Sequence, residues 1–264
     1  MSTPPEPDPA RQIAEKEPDE VEQYRMPLLD HLRELRTRML RAAAALAVGL
    51  AISLMFTDQI LAFIRAPLEH SMAINGIEGG LSINNSPFEA VSVWFRVALL
   101  GAIVIASPVL SYEIWAFVAP GLYKTERRIV VPLALSSVFL FLAGGAFCYF
   151  VIFPYAFPWL LGLIDADVNL SIEGYLSAVL KVAVAFGVCF QLPIAVFFLA
   201  RVGLVDHKDM LVGFRYSLVA IFVIAAILTP PDPLTQTLLA IPLTFLYVVS
   251  IVIAKVFTTK VRTT

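Results

Sequence analysis

Asp30, Glu34 and Arg38 recur every fourth residue within Leu28-Leu29-Asp30-His31-Leu32-Arg33-Glu34-Leu35-Arg36-Thr37-Arg38-Met39-Leu40, a spacing that aligns them on one face of a helix. Glu34 could pair with Arg38, an ion pair worth a few tenths of a kcal/mol. It could equally accept a guanidinium from another molecule through charge-assisted hydrogen bonds. A second acid, Glu126, lies in Pro120-Gly121-Leu122-Tyr123-Lys124-Thr125-Glu126-Arg127-Arg128. Thr125 could cap a following helix and leave Glu126 in its first turn, where the helix dipole favours a carboxylate. Two acids set among positive groups could also jointly clamp a dicationic ligand. Spacing alone leaves both uses open. Gln191, between Phe190 and Leu192, is deep in an apolar stretch. A buried amide there is expensive without a partner, either a neighbouring helix or a bound chain.

Covalent chemistry has few candidates. His31, His70 and His207 all fall outside the apolar segments, which hold no paired acids, metal-binding histidine cluster or Ser/His pair. A phosphate-cradling glycine loop with its lysine is missing. The sequence predicts no enzyme, cofactor, metal or nucleic-acid partner.

The elements that must position these residues are membrane spans. With 59% hydrophobic and 15% charged residues, the chain lies far from the roughly 25% charged residues of a soluble domain. Six long apolar segments occur at about 36–56, 91–117, 129–153, 174–199, 213–228 and 234–253. Cations cluster before or at the first segment (Arg25, Arg33, Arg36, Arg38, Arg41), after the second (Lys124, Arg127, Arg128), after the fourth (Arg201, Lys208, Arg215) and after the sixth (Lys255, Lys260, Arg262). The opposite connections are acidic, with Asp58, Glu69, Glu78, Glu89, Asp165, Asp167 and Asp232. The positive-inside rule then puts both termini in the cytoplasm. Arg96 and Lys181, near the external ends of their spans, are expected to snorkel to the interface.

Residues 1–24 form an acidic, proline-containing tail expected to be disordered, residues 25–257 the six-helix transmembrane domain, and 258–264 a short cytoplasmic tail. The tail has no apolar core with a cleavage site, so it does not read as a signal peptide. The fifth span, at about 16 residues or roughly 24 Å, falls short of a hydrocarbon core of about 30 Å. Local thinning of the bilayer beside it is one outcome, and tilt or shielding by neighbours the other. Thr229-Pro230-Pro231-Asp232-Pro233 makes the fifth and sixth spans a tight hairpin, and Asp232 suits such a turn without further function. Pro108, Pro132, Pro154, Pro193 and Pro242 favour kinks and a concave bundle. Gly144-Gly145 permits close helix approach. Cys148 and Cys189 fall in apolar spans and read as buried thiols.

Several runs together carry a resemblance: His31-Leu32-Arg33-Glu34-Leu35-Arg36; Ala66-Pro67-Leu68; Ser86-Pro87-Phe88; Trp115-Ala116-Phe117-Val118-Ala119-Pro120-Gly121-Leu122-Tyr123-Lys124-Thr125-Glu126-Arg127-Arg128; Phe186-Gly187-Val188; Leu228-Thr229-Pro230-Pro231-Asp232; and Gln236-Thr237-Leu238-Leu239-Ala240-Ile241-Pro242. In this order, on six spans, the chain from about Met26 to Phe257 resembles the TatC family, the core subunits of the twin-arginine protein translocase.

The resemblance implies an all-α protein of the bacterial inner membrane with a kinked concave bundle and short fifth and sixth helices. It implies a receptor for the twin-arginine signal peptides of folded precursors, working with TatA- and TatB-type single-span proteins in a multi-copy complex driven by the proton motive force. By the family pattern Glu34 and Glu126 face the paired arginines. Arg36, Phe117, Pro120, Leu122 and Tyr123 match functionally important cytoplasmic positions, with packing roles equally open for the loop residues. Pro67 and Asp232 match external-loop positions. Gln191 stands where many members carry glutamate, so a protonation role there is in doubt for this chain. A small-solute carrier is the alternative, but it would usually show an inverted repeat or a polar cluster at mid-membrane.

Overall fold

The computed structural model describes residues 28–77, 87–118, 130–163, 171–229 and 232–257. Within them the chain is helical apart from turns and one isolated bridge residue. Helix α1 (Leu28–Met55) is followed by α2 (Thr57–Ile74), α3 (Pro87–Val118), α4 (Val130–Phe147), α5 (Phe153–Gly162), α6 (Ile172–Cys189), α7 (Leu192–Val202), α8 (His207–Leu228) and α9 (Pro233–Phe257). Six stretches are long and apolar enough to cross a membrane: 32–55, 88–118, 130–162, 172–202, 207–228 and 233–257. Large side chains such as Phe139, Phe150, Tyr155, Ile227 and Phe245 stand exposed along them, as expected where lipid rather than water is the neighbour. By its contacts the chain divides at Arg41–Ala42, so α1 starts in one unit and continues into the other.

Two spans are composite, and proline explains where they break. A π-helical turn, Cys148–Ile152, joins α4 to α5 just before Pro154, so the backbone donor that proline lacks is absorbed where helical register already changes. α6 ends at Cys189 and α7 begins at Leu192, with Pro193 in the new first turn, where its missing N–H costs nothing. Pro108 and Pro242 instead lie inside α3 and α9.

The fifth span differs from its sequence-based length. α8 has 22 residues, roughly 33 Å of helix, because it continues past the polar residues His207, Lys208 and Asp209 that interrupt the apolar run. Counting only the unbroken apolar run undercounts a helix whose first turn is polar. The backbone is therefore long enough to span about 30 Å of hydrocarbon, and the shortness that suggested thinning is a property of the apolar stretch alone.

A second difference is α2, which falls in a segment expected to be an external loop. Its buried side chains, Leu61, Ile64, Leu68 and Met72, recur at helical spacing and join a core with Val93, Val97, Ile152, Phe153 and Leu176. Pro67, expected in a loop, stands inside this helix. Its carbonyl accepts the Ser71 hydroxyl at 2.6 Å. α2 is tied to its neighbours by backbone acceptors: the Tyr149 hydroxyl donates to Phe63 O at 2.8 Å, Tyr175 to Ile64 O at 2.6 Å, and Asn75 Nδ2 to Pro158 O at 3.2 Å.

Close helix approach rests on small residues. A Cβ on Gly144 would lie 2.8 Å from Phe186 O, and one on Gly49 2.8 Å from Ala102 O; both crossings put backbone against backbone. Gly145, next to Gly144, faces open space, so only one of the pair is required for packing. Cys148 and Cys189 are free thiols, the first buried and the second half-buried.

Candidate functional site

Glu34 lies in the second turn of α1, in the part of the helix before Arg41. The face carrying Glu34 and Arg38 is half-buried, whereas Leu32 and Met39 on the expected apolar stripe are exposed and Leu35 is intermediate. Arg38 donates to Glu34 from Nη2 at 2.6 Å and from Nε at 3.0 Å, both to Oε1. The helical ion pair anticipated from spacing is thus formed. With side chains 19% and 25% exposed for Arg38 and Glu34, the pair is screened less than a fully solvated one and holds one carboxylate oxygen against a guanidinium. Arg36 is exposed on the same helix. Phe117 is half-buried at the end of α3. Glu126, Pro120, Leu122 and Tyr123 lie outside the described residues.

Gln191 occupies the break between α6 and α7, where the backbone leaves regular helix ahead of Pro193. Its Nε2 donates to Ser137 O on α4 at 3.0 Å and more weakly to Gly187 O at 3.4 Å. This is the helix–helix hydrogen bond that an amide at depth needs. The same side chain lines a cleft of about 500 Å³ between α3, α4, α6 and α7, with Ser107, Ser111, Trp115, Phe141 and Phe198 among its walls. Trp115 Nε1 donates to Ser137 Oγ at 2.6 Å, and its ring meets Phe198 edge-on at 5.3 Å. Ser137 therefore receives the indole on its hydroxyl and Gln191 on its carbonyl, which fixes two polar walls of an otherwise apolar cleft.

Asp232 precedes α9, and both carboxylate oxygens are used: Oδ2 accepts the Thr235 backbone N–H at 2.8 Å, and Oδ1 accepts the Thr235 hydroxyl. That is the geometry of a helix N-cap, so turn chemistry accounts for this acid.

Arg96 is held by an ion pair between helices. It reaches across from α3 to α6, with Nη2 2.7 Å from Glu173 Oε1 and Nη1 hydrogen-bonded to the Ser177 hydroxyl. Ser92 Oγ also donates to Glu173 Oε1, at 3.2 Å, and Ser171 Oγ donates to the buried Glu89 at 3.2 Å. Local spacing gives no sign of this pair, whose members lie 77 residues apart. Lys181 remains exposed. Sequence reasoning also passed over Glu113, 7% exposed within α3. A single acid in a long apolar run was its only signal.

A family model described as "Sec-independent protein translocase protein (TatC)" matches residues 30–242. The chain belongs to the TatC family. It is 39% identical over 241 residues to the TatC of Desulforapulum autotrophicum, covering 90% of this chain and 88% of that one. It is 38% identical over 239 residues to the TatC of Aquifex aeolicus, covering 89% and 97%, and 38% identical over 238 residues to that of Escherichia coli, covering 89% and 91%. Its fold is similar to a solved structure described as the twin arginine translocase receptor TatC, with a TM-score of 0.76 and 37% identity over 87% of this chain and all of that one. A second structure of that receptor, in DDM, gives a TM-score of 0.77 and 37% identity over 85% and 99%. Members of the TatC family are protein-translocase components, not enzymes, and the six apolar helices make this one a multi-pass membrane protein.

Proposed function

We propose that this chain is the signal-peptide receptor of a twin-arginine translocase, binding paired arginines at the cytoplasmic face and nucleating export of folded proteins driven by the proton motive force. The observation that carries the reading is the Glu34 carboxylate, which already receives a guanidinium, that of Arg38, through two nitrogens. An arginine from a signal peptide would compete for the same acceptor. Glu126 would take the second arginine, and Arg36, Phe117, Pro120, Leu122 and Tyr123 would pack or orient the peptide.

The preference for arginine over lysine has a physical basis. A planar guanidinium presents a fork of donors to one carboxylate, whereas an ammonium is a compact, strongly hydrated point charge. Charge segregation along the chain supports both termini lying in the cytoplasm of a bacterial inner membrane. Single-span TatA- and TatB-type proteins are the proposed partners in a multi-copy complex, with the Gln191 cleft as a place where polar groups at depth could be met.

The test is the affinity of the purified chain, in lipid nanodiscs, for a signal peptide carrying Arg-Arg against the same peptide carrying Lys-Lys, at low and high salt. The receptor reading expects an Arg-Arg preference that persists at high salt. Equal, salt-sensitive binding would reduce the interaction to general electrostatic attraction and move recognition to a partner subunit.

A further inference from the structure

Away from Glu34 and from the Gln191 cleft, α8 and α9 enclose a second cleft of about 540 Å³. Its walls follow one pattern on two antiparallel helices. On α8, His207, Leu211 and Phe214 are spaced i, i+4, i+7; on α9, Lys255, Val252 and Val248 run the same way in reverse. Each helix therefore contributes a basic group at one end and apolar side chains for roughly the next 10 Å. Because the helices are antiparallel, both basic groups fall at the same end. Tyr247 closes the apolar side by donating to Met210 O at 3.0 Å and packing on Phe214 with ring centroids 6.0 Å apart.

We infer that this cleft binds an anionic phospholipid of the adjoining leaflet, with its phosphate at Lys255 and His207 and an acyl chain along Leu211, Val248 and Val252. The surface has the two-part chemistry of such a lipid, a cationic rim continuous with an apolar trough. Basic pockets between transmembrane helices suit anionic head groups. Lys255, Leu211, Val248 and Val252 are exposed, so the trough is open to the membrane. His207 is partly engaged, since Asp206 Oδ1 lies 2.6 Å from its Nδ1. That contact takes up Nδ1 and leaves Nε2 as the nitrogen to serve a phosphate. Asp209, two residues on from His207, lies about 200° away around α8 and so belongs to another face.

A lipid suits this place better than a protein helix for two reasons. The trough is short, about two helical turns, and its lining ends in Lys255 and His207, which matches a phosphodiester above a hydrocarbon chain. The inference is independent of signal-peptide binding and requires only that α8 and α9 lie in a membrane.

The experiment uses the full chain in phosphatidylcholine nanodiscs doped with a trace of phosphatidylglycerol bearing a diazirine on its acyl chain. A phosphatidylcholine probe with the same chain is the control. Irradiation followed by peptide mapping should place phosphatidylglycerol adducts on residues 207–214 and 248–255 well above the control. The double substitution His207→Gln/Lys255→Gln should lower those adducts by roughly tenfold or more, with labelling of the other lipid-facing helices unchanged. Val252→Trp should fill the trough and lower labelling with both cations intact. Equal labelling by the two probes would make the cleft ordinary lipid-facing surface and overturn the proposal. So would variants without effect. Absence of adducts from either probe, the sign of a second copy or partner helix covering the cleft, would overturn it too.

Discussion

Arg38 places two guanidinium nitrogens on one oxygen of Glu34, at 2.6 and 3.0 Å, so the acid proposed to recognise an arginine is already holding one. Any incoming guanidinium must displace or share this contact. Pairs of this kind at partly exposed helical positions contribute up to about 1 kcal/mol. Arg38→Gln is therefore expected to raise the affinity for an Arg-Arg signal peptide by as much as about fivefold. Glu34→Ala should have the opposite sign and a larger effect. Losing a charge-assisted hydrogen bond of roughly 1.5–3 kcal/mol weakens binding about tenfold to a hundredfold and removes the preference over Lys-Lys. Titration of labelled peptide onto both variants in nanodiscs measures this. Unchanged preference in Glu34→Ala and in Glu126→Ala would remove the clamp.

Gln191 couples α7 to α4 through Ser137 O, and the size of that coupling is modest. Interhelical hydrogen bonds in membranes average about 0.6 kcal/mol and reach about 1.7. Gln191→Leu should lower thermal stability in detergent by an amount of this order and impair transport, while Asn or Glu, which keep hydrogen-bonding capacity, should be better tolerated. Transport by the Leu variant equal to that of the parent chain would show that the bond is dispensable.

The six spans were legible because lipid imposes a simple rule: about 20 apolar residues, with cations gathered on one side. α2 was not, since Leu61, Ile64, Leu68 and Met72 share an 18-residue helix with Asp58, Arg65, Glu69 and His70, a mixture that reads as a connection until its periodicity is counted. The Arg96–Glu173 pair was hidden for another reason. Spacing reveals partners three or four residues apart, as with Glu34 and Arg38, but not partners on helices that meet only after folding. Gln191 fell between the two cases. That it needed a partner followed from its place in an apolar run, while the identity of the acceptor, a backbone carbonyl on α4, required the packed helices.

Gly144 lies where the backbones of α4 and α6 meet. The Cβ of an alanine there would meet Phe186 O at 2.8 Å and Gly187 Cα at 3.0 Å, and these are backbone atoms that cannot rotate away. Gly144→Ala should destabilise the protein by about 1–3 kcal/mol, the usual cost of overpacking. Gly145→Ala, facing open space, should be neutral or slightly stabilising through helix propensity. Comparing the two melting temperatures in one detergent checks the geometry, and equal shifts would contradict it.

Asp232 offers a way to separate charge from shape. Its two oxygens accept from Thr235 N and Thr235 Oγ1 at the start of α9. Replacing an N-cap by alanine costs about 1 kcal/mol, while asparagine caps nearly as well as aspartate. Asp232→Ala should lower the melting temperature and, with it, the yield of assembled protein; Asp232→Asn should retain both, because the amide oxygen can still accept the Thr235 N–H. If the negative charge itself were needed in transport, the Asn variant would be stable and inactive. Measuring stability and transport side by side in the two variants decides between the readings, and capping predicts that Asp232→Asn behaves like the parent chain in both assays.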